Sequence, residues 1–253
     1  MLQSNAMILI IANWKMNPPT IVGAKHLFQA AKSASERLKR IHIIVAPPSL
    51  FLRDMVKGYR GKKIGFAVQN VHHERQGSFT GEISASQAHD VGAGYAIVGH
   101  AERRALGERN SEVGQKMKLV LAEGMTAILC VGERERDQSG EYLAFVNEQL
   151  RSGLEHVTKK QLKNLIIAYE PVWAIGAKEA MKPRQMHEMA IFIRKFLNQQ
   201  YGSVALSVPI LYGGSVDAGN AAEMIIEGDV QGLLVGRASA NAQTFTELLR
   251  SLF

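Results

Sequence analysis

A single cysteine, Cys130, stands among 253 residues. No internal disulfide can form, and the usage fits a reducing compartment, so the expected location is the cytoplasm. Long hydrophobic runs are missing too. The longest, Met7 to Ala12 and Ile41 to Ala46, are strand-sized, which excludes a membrane-spanning helix. Aromatic residues make up 7% of the chain, and no tract interleaves them with basic residues as a stacking groove for nucleic acid would. Nucleotide-binding fingerprints are absent as well. Gly92-Ala93-Gly94-Tyr95-Ala96-Ile97 fails at the last glycine, and neither Gly-x-x-x-x-Gly-Lys-Ser/Thr nor Gly-x-Ser-x-Gly occurs. Residues 1–6 lack the basic-then-apolar form of a signal peptide. They read as an expression remnant before a native start at Met7 and are set aside.

Positive charge is in excess: 30 basic against 23 acidic residues, a net +7. The basic residues are spread over helical stretches such as Arg37-Leu38-Lys39-Arg40 and Lys159-Lys160-Gln161-Leu162-Lys163. With no recognisable binding module, they imply an enzyme with a basic surface, and neither nucleic acid nor membrane is an expected partner.

Short apolar runs alternate with longer amphipathic stretches along the whole chain. The runs are Ile8 to Ala12, Ile41 to Ala46, Ile64 to Val68, Tyr95 to Val98, Ala127 to Val131, Leu165 to Ala168, Val208 to Leu211 and Gly232 to Val235. Their nearly continuous apolarity predicts parallel strands buried on both faces. Helical patterns lie between them, among them Val22 to Leu38, Glu112 to Ala122, Glu141 to Leu154, Pro183 to Gln200, Asn220 to Ile226 and Gln243 to Leu252. Pro183 suits a helix first turn and Asp217 an N-cap. Eight strand–helix units without a linker predict one (β/α)8 barrel over residues 7–253.

Active sites of such barrels lie at the carboxyl ends of the strands. That rule gathers Asn13-Trp14-Lys15 after the first strand, His100-Ala101-Glu102 after the fourth and Glu170-Pro171-Val172-Trp173 after the sixth. Two glycine turns, Gly213-Gly214-Ser215 and Gly236-Arg237, follow the last two strands, where barrels bind phosphate on amide N–H groups. Taken singly, a strand-end glutamate or histidine is more often structural than catalytic, and a glycine turn is often only a helix start. Here the combination carries the signal.

The segments Ala12-Asn13-Trp14-Lys15-Met16-Asn17, Ala168-Tyr169-Glu170-Pro171-Val172-Trp173-Ala174-Ile175-Gly176 and Tyr212-Gly213-Gly214-Ser215-Val216 resemble the signatures of the triosephosphate isomerase family, in order and at family spacing. Val68-Gln69-Asn70-Val71 and Phe79-Thr80-Gly81-Glu82 agree as well. The resemblance implies interconversion of dihydroxyacetone phosphate and glyceraldehyde 3-phosphate through an enediolate, without cofactor or metal. It implies Glu170 as the base and His100 as a neutral imidazole donor, the arrangement this family exemplifies. Lys15 and Asn13 would meet the substrate oxygens, and Glu102 would anchor the local charges by pairing with Lys15. Backbone amides of Gly176, Ser215, Gly236 and Arg237 would hold the phosphate. Pro171, Val172 and Trp173 would form the lid hinge, and Phe79 and Thr80 would enter the partner subunit of a homodimer.

The chain departs from the family pattern in three places. Ala101 replaces a serine that can hold the base, so a more mobile Glu170 is expected. The lid reads Gly176-Ala177-Lys178-Glu179, which lacks a usual glycine and a usual lysine, and altered closure is expected. Arg237 replaces the second glycine of the phosphate turn, with its guanidinium expected toward solvent. The alternatives are another phosphate-binding barrel enzyme such as an aldolase, or a non-catalytic barrel. His72-His73-Glu74 suggests a metal, but adjacent side chains are expected to diverge. Cys130 is expected to be an inert buried thiol.

Overall fold

The structure, a computed structural model, describes residues 7–175 and 180–252. The expected N-terminal remnant and the lid residues Gly176 to Glu179 lie outside the described residues. Eight strands form: β1 (Ile8–Asn13), β2 (Ile41–Ala46), β3 (Ile64–Val68), β4 (Tyr95–Val98), β5 (Thr126–Val131), β6 (Leu165–Tyr169), β7 (Ile210–Tyr212) and β8 (Gly232–Val235). Each pairs in parallel with its sequence neighbour, and β1 pairs with β8, so the sheet closes in the order 1 to 8. The helices are α1 (Ile21–Arg37), α2 (Ser49–Gly58), α3 (Ala85–Asp90), α4 (Ala101–Ala105), α5 (Asn110–Ala122), α6 (Glu141–Leu154), α7 (Pro183–Tyr201), α8 (Ala221–Ile226) and α9 (Ala242–Arg250). This is the (β/α)8 barrel that the sequence predicts.

Side-chain alternation divides the core into two layers. Ile11, Ile44, Ala67, Ile97, Ile128, Ile166, Ala168, Leu211 and Leu234 fill the barrel lumen. Their strand neighbours, such as Ile10, Ile43, Leu129 and Ile167, pack outward against the helices. Helix α1 shows how the second layer is built. Thr20 caps it by accepting the Gly23 N–H, and Ala24, Leu27, Phe28, Ala31 and Ala34 face the sheet at helical spacing. Closure needs a residue without a side chain in β8, because a Cβ at Gly232 would overlap the Leu9 carbonyl.

Several boundaries shift by a residue or two, and two differences from the sequence reading have a local physical cause. β7 starts at Ile210 instead of Val208, since Pro209 has no N–H to give the ladder, although its carbonyl accepts the Ile167 N–H at 2.9 Å. Asp217 does not cap a helix. Its Oδ1 accepts the N–H groups of Gly219 and Asn220 at 2.8 and 3.2 Å, and the N-cap residue of α8 is Asn220. Pro183 does open α7.

At the amino-terminal end of the lumen, Tyr95 Oη lies 3.3 Å from His42 Nε2, and Gly65 leaves room for the tyrosine ring. Burial holds the His42 imidazole below its ordinary value. As pH falls below about 6.5, the unfolded chain binds this proton before the native barrel does. The contribution is therefore complete above that pH and is lost on acidification through the lowered native value. In urea titrations from pH 7 to 5, His42→Gln is expected to lose stability less steeply than wild type. Identical slopes would contradict this.

Candidate active site

Three strand ends deliver the polar groups. β1 ends in Asn13, whose Oδ1 accepts the Lys15 N–H at 3.0 Å. Lys15 itself is left-handed at φ 53°, a conformation that costs a non-glycine residue about 1–3 kcal/mol. Gln69 braces it by donating to the carbonyls of Lys15 and Ala46 at 2.8 and 2.9 Å. The ammonium is thereby aimed across the rim, where it meets Glu102 Oε1 at 2.6 Å.

Beyond β4, Gly99 turns the chain at φ 73° and His100 opens α4. The imidazole is buried, and its Nδ1 accepts the Glu102 N–H at 3.1 Å. A ring nitrogen that accepts an amide carries no proton, so the ring in this arrangement is neutral and protonated on Nε2. That nitrogen points across the barrel mouth and lies 3.1 Å from Glu170 Oε1.

Glu170 follows β6 and is only 2% exposed. Its N–H donates to the Val131 carbonyl at 2.7 Å, and its Oε2 accepts the Ala101 N–H at 2.9 Å. Position 101 holds it through the backbone, which alanine supplies as well as serine. Two glycines frame the residue. A Cβ at Gly132 would overlap the Glu170 carbonyl, and one at Gly213 would come 2.9 Å from its Cγ. Beneath it Cys130 is fully buried, as expected, and its thiol is pushed well up, first by burial and then by the Glu170 charge.

Glu133 is the residue that the sequence reading missed. Buried after β5, it accepts the Tyr169 hydroxyl at 2.7 and 2.9 Å and the Trp173 indole at 2.8 Å. Its carbonyl also takes the Val172 N–H at 2.9 Å. Glu133 therefore ties the segment Val172–Trp173 to β6. Burial and then the Glu133 charge push the Tyr169 hydroxyl upward, which keeps it a donor. Its only sequence signal was an acidic residue just past an apolar strand.

The glycine turns complete the rim. A cavity of about 410 Å³ is lined by Asn13, Lys15, His100, Glu170, Ser215 and Gly236, with Arg237 beside them. Arg237 is exposed, and among the described residues only Lys15 and Asp229 are non-glycine residues at positive φ. Arginine thus replaces the family's glycine here without left-handed strain. Pro171 precedes a short 3-10 turn at Val172–Ala174, while Gly176 falls outside the described residues. A second cavity of about 270 Å³ adjoins the first, lined by Lys15, Gln69, Asn70, Gly81, Glu82 and Glu102.

Phe79 and Thr80 are exposed. The Phe79 ring stacks on His72 at 4.1 Å, and His72 stacks on His73 at 4.2 Å. The two histidines therefore do not diverge as expected. Their side chains share one face, yet among the described residues no three His, Cys, Asp or Glu side chains form a cation-binding group. No helix among those residues is long and apolar enough to cross a membrane.

Fold and rim define a barrel enzyme with a carboxylate, a neutral imidazole and an ammonium beside a glycine-lined cavity. The sequence model described as triosephosphate isomerase matches residues 8–252. The protein named triosephosphate isomerase from Endomicrobium trichonymphae is 40% identical over 96% of this chain and 97% of its own. Its namesake from Marinobacter nauticus is 41% identical over 96% of each chain, and that from Carboxydothermus hydrogenoformans is 38% identical over 95% and 97%. The chain belongs to the triosephosphate isomerase family.

Gly132 tests the framing of Glu170. Gly132→Ala must displace the Glu170 backbone, and shifts of about 1 Å cost on the order of 10²-fold in turnover. Isomerase turnover is expected to fall by at least that much, with a lowered thermal midpoint. Wild-type turnover in Gly132→Ala would contradict the packing described.

Proposed function

We propose that this enzyme interconverts dihydroxyacetone phosphate and glyceraldehyde 3-phosphate, the step shared by glycolysis and gluconeogenesis, in the cytoplasm and without metal or cofactor. The family match over residues 8–252 carries this reading, and the meeting of Glu170 with His100 at 3.1 Å supports it. Neither the aldolase-type barrel nor the non-catalytic barrel is favoured. Asn13, Lys15, His100 and Glu170 stand together at one cavity.

Glu170 takes a proton from the carbon next to the substrate carbonyl and returns it to the neighbouring carbon. Its burial keeps bulk water from the carboxylate, so a bound carbon acid meets it directly. Negative charge develops meanwhile on the carbonyl oxygen. His100 Nε2–H and the Asn13 amide supply fixed donors there, and the Lys15 ammonium supplies a cation held in place by Glu102. The reaction moves protons only, so no electron acceptor is needed.

The phosphate is bound by the N–H groups of Gly176, Ser215, Gly236 and Arg237. Binding at this non-reacting end drives closure of the segment after Trp173, the lid motion for which this family is known. Closure keeps water from the enediolate. Pro171, Val172 and Trp173 are the hinge, and the grip of Glu133 on Trp173 and on the Val172 amide gives that hinge a fixed base. Residues 7–253 act as one barrel domain. Two copies pair, with Phe79 and Thr80 of each entering the cavity beside Lys15 of the other. The exposure of Phe79 supports this, together with Met16 and Leu50, which are 91% and 90% exposed.

In a coupled assay, Glu170→Gln is expected to lower kcat by about 10²–10⁴-fold with little change in KM, as removal of a general base does. Undiminished kcat in the variant would overturn the mechanism.

A further inference from the structure

The charges around the larger cavity are unevenly committed. Lys15 is bonded to Glu102 at 2.6 Å, Glu170 is buried against the Ala101 amide, and Asp217 accepts two amides of its own turn. Arg237 lines the same cavity and is exposed, and it has neither hydrogen bond nor ion pair among the described residues. It is therefore the one uncommitted cation among the described cavity-lining residues. It also stands where a glycine would give the turn its N–H and nothing more.

We propose that Arg237 is an electrostatic steering residue, which speeds capture of the dianionic substrate without gripping it. The inference rests on the isomerase reading above. Two observations favour steering over a clamp. The side chain is exposed, with no second group among the described residues to fix the guanidinium plane, and a bidentate grip needs such fixing. The backbone at 237 is free of left-handed strain, so its amide serves the phosphate whatever the side chain does. Chemistry at Glu170 and His100 is untouched, so the effect belongs in capture and not in turnover.

The size of the effect follows from Coulomb's law. A unit cation and a dianion about 8 Å apart in water, with screening lengths of about 30, 8 and 3 Å at 0.01, 0.15 and 1 M salt, give about fourfold, about twofold and almost no enhancement. The experiment measures kcat/KM and kcat against ionic strength for the full chain as wild type, Arg237→Gln and Arg237→Lys. Arg237→Gln is expected to lower kcat/KM about fourfold at 0.01 M and about twofold at 0.15 M, converging with wild type at 1 M. Arg237→Lys is expected to restore both the value and its salt slope. Equal salt slopes in wild type and Arg237→Gln would overturn the proposal. So would failure of lysine to rescue, which would make Arg237 a planar clamp. A wild type without isomerase turnover would instead count against the reading on which the inference rests.

Discussion

The parallel ladder between β1 and β8 fixes where everything at the rim can stand. Leu9 pairs with Gly232 and Ala12 with Val235, so the segments after the two strands emerge side by side. Lys15 and Gly236 are consequently neighbours, and a Cβ at Gly236 would sit 3.1 Å from the Lys15 Cε. The same ladder sets the tilt of every other strand, because a closed barrel leaves no edge at which register can relax. Asn13, His100 and Glu170 reach one cavity as a consequence of closure.

Within that frame, buried carboxylates do different work according to their partners. Glu170 accepts the Ala101 N–H and approaches His100, and both contacts lie at the cavity. Glu133 accepts a hydroxyl and an indole and so ties Trp173 to Tyr169. Lys116 is buried in a third arrangement, bonded to Glu108 and to Asn70, which stiffens the base of the loop carrying Phe79.

Much of this was legible in the sequence for a physical reason. Strands buried on both faces leave unbroken apolar runs, and the rule that barrels work at strand carboxyl ends turned those runs into Lys15, His100 and Glu170. The resemblance then supplied their roles. Glu133 escaped because a single acidic residue after a strand looks the same whether it is solvated or triply bonded. Gly132 escaped because only the packed structure reveals the Glu170 carbonyl against it. The contact of Ala101 with Glu170 was likewise not legible. Side-chain chemistry was weighed there, but a backbone N–H, which every residue except proline has, makes the contact.

The account depends most on His100 presenting a proton on Nε2 to the cavity while Nδ1 is occupied by the Glu102 amide. Nitrogen-15 NMR of the histidine-labelled, unliganded enzyme at neutral pH tests it directly. A neutral ring with a protonated Nε2 and a bare Nδ1 is the predicted result. A proton on Nδ1, or on both nitrogens, would contradict it.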